Sequence, residues 1–418
     1  MKERRVEDKI TRLIEKGVTI PNPYAVEIGD DVDVDRISGD GTFFYSGTKI
    51  YGVQTLVCAK TKLGYEAPVT IENCQLGSAV ELKGGYFKAS TFLEKANMAY
   101  GAQVREGCIL EEEACGSHTV GLKQTILFPF VALGSLINFC DCFMAGGTSR
   151  KNHSEVGSSY IHFNYTPNQD KATASLIGDV PRGVMLDQQP IFLGGQGGLV
   201  GPVRIGYGTI IAAGSVYRDD CVDGGKLLSS NNRETDKDFH AGFYGDVHRR
   251  VRNNICYLAN LLALKEWYSH IRRPFFESFE GGFALYEGAI QKLELALEER
   301  LRRFEALSEK MVLSIEIGKK ILSGETKELI LKQQAELLTG WKDLRACFTE
   351  EYEKRVGFDK MDAFLRVIEI KRTENGDDYI GTIQSLSRDE KTTGTAWLQA
   401  IVDDITGRAF DFLPSYAI

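Results

Sequence analysis

Of the six histidines in this 418-residue chain, His118, His153 and His162 fall in its glycine-rich first half. An imidazole there is a candidate general base, because it exchanges a proton near neutral pH. His162 lies two residues before Asn164, so on an extended strand the two share a face. His153 falls at an expected corner beside Arg150 and Lys151. Arg150, Lys151, Lys171 and Arg182 gather around two expected excursions, residues 164–175 and 180–192. Cations on such loops suit a phosphate or a diphosphate. Pro181, Gly183 and Pro190 make the second excursion an ordered loop rather than a regular repeat. The plainer alternative is a corner histidine and solvated loop charges.

These groups need a scaffold, and the sequence supplies a repeat. Leu193, Leu199, Ile205 and Ile211 are six apart, and Gly197, Val203, Thr209 and Ser215 follow each by four. This aliphatic-x-x-x-small hexad predicts a left-handed parallel β-helix, with three hexads per coil and the aliphatic pointing inward. Looser hexads run upstream through Ile28-Gly29, Leu63-Gly64, Leu76-Gly77, Leu133-Gly134, Val156-Gly157 and Ile177-Gly178. Most of the 43 glycines lie before residue 226. Beyond it, Ile290, Leu293, Leu297, Leu301, Phe304, Leu307 and Met311 recur at helical spacing. The expected class is mainly β with α: an amino-terminal helix (1–21), the β-helix (22–222), a helical domain (223–356) and an α/β tail (357–418) with a helix near 396–405.

Bulk properties narrow the partners. A net charge of −8 argues against a nucleic-acid surface. Nine cysteines without a CxxC suggest a reducing compartment and offer no metal-ligand spacing; Cys140-Asp141-Cys142 is too tight for a metal knuckle. No stretch approaches the ~18 apolar residues of a membrane span, and the charged amino terminus lacks a signal-peptide core. The expectation is a cytoplasmic protein without a membrane partner.

The stretches Leu13–Asp35, "LGSLINFCD", "VGSSYIHFNY", "IGD" and "FLGGQGGLVGPVRIGYGTIIAAGSV" resemble the acetyltransferase domain of the bifunctional N-acetylglucosamine-1-phosphate uridylyltransferase/glucosamine-1-phosphate acetyltransferase family. The resemblance implies a homotrimer using acetyl-CoA, with sugar-phosphate sites between adjacent prisms. It implies substrate contacts from Asn164, Tyr165 and Lys171 and a cofactor-binding stretch at Ala212 and Ala213; the loop cation Arg150, read from its charge and place alone, is a further candidate phosphate ligand. Counted without gaps, the family base falls on Asp141, a tyrosine on Met144, an asparagine on Glu155 and a serine beside the cofactor thiol on Gly195. The base therefore lies among His153, His162 and Asp141, the last only with a raised pKa.

Two readings follow: an acyltransferase acting on a sugar phosphate or nucleotide sugar, and a silent prism that binds a sugar nucleotide or scaffolds an assembly. A third, nucleotidyl transfer, rests on Ala145–Arg150, "AGGTSR", which resembles a nucleotidyltransferase glycine loop. Such loops follow a strand and precede a helix. This one lies between two coils, so it is expected to be coil and corner.

Overall fold

The computed structural model describes residues 2–230, 236, 238–324, 326–349 and 356–417. Its first half is a parallel β-solenoid of about 11 turns, of the left-handed β-helix type. Short strands stack in register on three faces. On the first, Glu155-Val156 pairs with Phe192-Leu193, which pairs with Ile210-Ile211. The second carries Ile137–Cys140 beneath Tyr160–Phe163 and Gly197–Val200. The third stacks Thr125–Leu127, Cys142–Met144 and Ser175–Ile177. The hexad explains this stacking: Leu193, Leu199, Ile205 and Ile211 are all buried inside the prism. Each such side chain contributes about 1.5–3 kcal/mol of burial. Corners require left-handed backbone, so Gln124 and Asp141 take φ of 49° and 58° where the second face turns into the third.

Helix α1 (Lys2–Glu15) covers the first coil: Leu13 is buried, and Lys9 Nζ donates to the carbonyls of Gly29, Asp30 and Val32. It thereby shields an open sheet edge. The short α2 (Val180–Gly183) lies in the excursion between the third and first faces. The remaining helices are α3 (His248–Trp267), α4 (Arg273–Phe276), α5 (Gly282–Ile321), α6 (Thr326–Thr349), α7 (Phe358–Asn375), α8 (Tyr379–Gln384) and α9 (Arg388–Phe412). A π-helical segment, Tyr268–Arg272, joins α3 to α4.

Helix α5, 40 residues and therefore roughly 60 Å long, runs against the third face with α3 beside it. At Gly288 it approaches so closely that a Cβ would stand 2.6 Å from the Gln75 side chain. Outward residues of this face, among them Ile109, Ile126 and Phe143, are as buried as the inward ones. That is why its strands are apolar without alternation.

The tail corrects one expectation. Residues 357–418 were expected to mix strand and helix, yet among the described residues they form α7, α8 and α9. Trp397, Leu398, Ile401 and Ile405 repeat at helical spacing and are buried. Ser387 and Glu390 close a capping box that starts α9 well before residue 396. Residues 350–355, at the end of the expected helical domain, lie outside the described residues. Among the described residues no helix is long and apolar enough to cross a membrane.

Candidate functional site

The corner between the second and third faces gathers the largest group of expected site residues. Asp141 is 6% exposed, and the Asn164 side chain, one coil above, donates to its Oδ2 at 2.9 Å. Its Oδ1 accepts from Arg300 Nη2 of α5 at 2.7 Å, and Arg300 is itself 2% exposed. The same guanidinium donates through Nη1 to the Lys171 carbonyl at 2.7 Å. The Lys171 side chain stays exposed, as does Tyr165. Asp141 is therefore not a free carboxylate. Both of its oxygens are engaged, in a pair whose disruption costs about 3–5 kcal/mol because one charge is left buried alone.

His162 sits inside the prism rather than on its surface. Strand pairing aligns it with Leu199 above, in the inward place of the hexad. Its Nδ1 lies 2.7 Å from the Cys140 carbonyl, which only accepts, so Nδ1 carries the proton. Nε2 then accepts from Ser175 Oγ at 2.8 Å, and Ser175 Oγ accepts from the Val203 amide. Burial pushes the imidazole pKa down to about 4, against the opposing pull of the Cys140 carbonyl and Asp141. This one of the three candidate bases is thus a neutral, fully bonded core residue that ties adjacent coils together. It does not share an open face with Asn164, because the strand ends at Phe163.

The other expected residues lie at the two remaining corners. Between the third and first faces, Gly147–Ser149 and Asn152-His153 form a small antiparallel hairpin. Gly147 needs its φ of 103° there, since a Cβ would meet His153 Cα at 2.5 Å. This hairpin is the "AGGTSR" stretch. No helix follows it, so it lacks the amide cradle of a triphosphate loop. The Arg150 Nη1 donates to the Phe130 carbonyl at 2.9 Å, which commits part of the guanidinium to the scaffold. His153 Nε2 stands 3.5 Å from Glu155 Oε2, and its Nδ1 is buried without a hydrogen-bond partner. Gly195, Ala212 and Ala213 occupy the third corner, between the first and second faces; Ala213 is exposed there. A single chain thus joins Asp141, Asn164 and Lys171, and keeps His153 with Arg150, and Ala212 with Ala213, on separate edges of the prism.

Sequence reasoning missed the cations that α5 and the π-helical segment bring to the solenoid. Lys292 Nζ, buried, bonds Gln75 Oε1 at 3.1 Å, and burial lowers its pKa. Lys292 and Arg300 are eight residues apart on one helix face. Arg272 pairs with Glu112 and stands 3.4 Å from Glu111, while Tyr268 donates to Glu111 at 2.5 Å. Burial pushes the Glu111 carboxyl up to about 7, only partly offset by Arg272. The available signal was charge inside an apolar stripe: Arg300 interrupts the run from Leu293 to Phe304.

The chain matches no family model. It is 27% identical over 219 residues to the bifunctional protein GlmU of Thermotoga maritima, covering 51% of this chain and 42% of that protein. It is 27% identical over 215 residues to GlmU of Fervidobacterium nodosum, covering 50% of this chain and 41% of that protein. It is 26% identical over 228 residues to GlmU of Nitratidesulfovibrio vulgaris, covering 53% of this chain and 43% of that protein. The match thus spans less than half the length of these relatives. In agreement with the resemblance carried by its hexads, this β-solenoid protein is similar over about half of its length to the bifunctional proteins GlmU, and it packs a helical region over one face of the prism.

Proposed function

We propose that this chain binds a sugar phosphate or nucleotide sugar on an acetyltransferase-type prism without transferring an acetyl group at the Asp141 corner. The carrying observation is the Asp141–Arg300 pair. The carboxylate standing where the family base is expected is neutralised by the chain's own helix. The neighbouring imidazole, His162, is locked in the core with a depressed pKa. Ligand contact falls to the exposed Tyr165 and Lys171 side chains on the excursion after Asn164. In this reading the copies form a homotrimer in a reducing, cytoplasmic compartment; the free, buried thiols of Cys58, Cys74, Cys108 and Cys142 support the latter.

A second reading, transfer from acetyl-CoA to a sugar phosphate, has the His153–Glu155 pair in its favour. A half-buried imidazole beside a carboxylate is a workable base, and a neighbouring copy would have to bring its Ala212-Ala213 corner to it. One assay separates the two. With acetyl-CoA and glucosamine 1-phosphate, thiol release stays at the uncatalysed rate, while calorimetry detects a nucleotide sugar whose binding weakens in Lys171→Ala and Tyr165→Phe. Thiol release that disappears in His153→Ala overturns the first reading in favour of the second.

A further inference from the structure

The second face ends, just before the Asp141 corner, in an outward column of residues that carries an excess of positive charge. Val104 pairs with Leu122 and Lys123 with Cys140, so Arg105, Lys123 and Cys140 follow one another on successive coils. Such coils lie about 4.8 Å apart. The preceding residues Leu122 and Phe139 are buried inward, which turns the column outward. Phe163, half-buried, stands over Cys140 on the next coil. Three cations converge on the Cys140 sulfur: Lys171 from the excursion above, and Lys123 and Arg105 from below. Burial holds the thiol pKa up at about 11, Asp141 adds to this, and the three cations oppose it. Asp141 is itself bound by Arg300. Lys123 is 2.7 Å from Glu106, and Arg105 is 3.7 Å from the same carboxylate. With those partners counted, four cations face two carboxylates. Lys171 is exposed and joins no salt bridge among the described residues.

We propose that the diphosphate of a nucleotide sugar lies across this column, held by Arg105, Lys123 and Lys171 around Cys140. The assignment rests on the excursion being a sugar-phosphate contact, and narrows that ligand to one with two linked phosphates. Guanidinium and ammonium groups form charge-assisted bonds with phosphate oxygens, and the excess positive charge is unbalanced until an anion arrives. Arg105 lies two coils below Cys140 and Lys171 above it, a span that suits two linked phosphates better than one. Phe163 and the exposed Tyr165 offer ring faces on which a base can stack.

The test is calorimetric titration of the full chain with UDP-N-acetylglucosamine, N-acetylglucosamine 1-phosphate and acetyl-CoA. Arg105→Gln and Lys123→Gln, both at exposed or partly exposed positions, should each raise the Kd for the nucleotide sugar about fivefold or more. The Kd for the monophosphate should stay within about twofold. Cys140→Glu sets a carboxylate among the three cations and should weaken the nucleotide sugar about tenfold or more, at an unchanged melting temperature. Cys140→Ser should leave its Kd unchanged, as should Lys62→Gln, which removes the same charge from the exposed first face. If the wild type binds the nucleotide sugar but Arg105→Gln and Lys123→Gln bind it equally well, the column is overturned and the excursion reading stands. No binding of either sugar ligand at millimolar concentration overturns both. Equal weakening by Lys62→Gln, or monophosphate binding as tight as the nucleotide sugar, overturns the column alone. Acetyl-CoA is the other source of a nucleoside-linked diphosphate and should bind more weakly. Tighter acetyl-CoA binding that is lost in Arg105→Gln overturns the assignment to a nucleotide sugar.

Discussion

The first and third faces of the prism are built from the same hexad, yet their outward residues live in opposite surroundings. Phe192, Ile210 and Leu227 stack in register on the first face and remain 39%, 44% and 76% exposed. Ile109, Ile126 and Phe143 stack on the third and are fully covered by the helical region. The inward aliphatics therefore specify the coil, while the outward ones decide what the coil is used for. On the covered face that use is adhesion. Apolar contacts are joined by buried cations from the helices at Gln75, at Glu111–Glu112 and at Asp141.

The largest expected contrast comes from trimming one outward residue on each face. Phe143→Ala removes a buried ring beneath the helices and should cost about 3–5 kcal/mol in urea unfolding. Ile210→Thr on the open face keeps the β-branch and should stay within about 0.5 kcal/mol. Comparable losses at both positions would mean that the first face is also covered, by a partner.

Smaller effects separate the prism from its joint with the helices by pH. His162 has a folded pKa of about 4, below its unfolded value near 6.5. Its neutral form is favoured by folding, so its contribution is complete above pH 6.5 and is lost as pH falls toward 4. His162→Leu, the residue type found one coil later, should flatten that acid limb. Glu111 runs the other way, since its folded value of about 7 lies above the 4.5 of an unperturbed glutamate. Its contribution is complete below 4.5 and is lost as pH rises through 7. Its carboxyl faces Arg272, Glu112 and Tyr268. Glu111→Gln should remove this neutral-side decline in thermal-melt profiles and leave the acid limb in place.

The prism was legible because one residue in six carries the inward signal and glycines mark its coils. His162 was misjudged from its distance to Asn164. Counted from Val156, it falls in the inward hexad place, where a polar side chain survives only with both ring nitrogens bonded. The Asp141 corner was legible as a place but not as chemistry. Its decisive partner, Arg300, is 159 residues away in the chain, and no local spacing rule links a corner to a helix of another region. The tail misled because its short apolar runs, read singly, suit strand or helix; the capping box at Ser387 was the discriminating local cue.

The central claim is that the covered corner is a structural joint, and the coupling energy between Asp141 and Arg300 tests it most directly. Asp141→Asn, Arg300→Met and the double variant should be compared by denaturant unfolding. The account predicts that each single change destabilises by leaving a buried charge unpaired, and that the double variant recovers a coupling toward the upper end of the ~0.5–3 kcal/mol seen for contacting residues. Additive single effects, with coupling below about 0.5 kcal/mol, would contradict it.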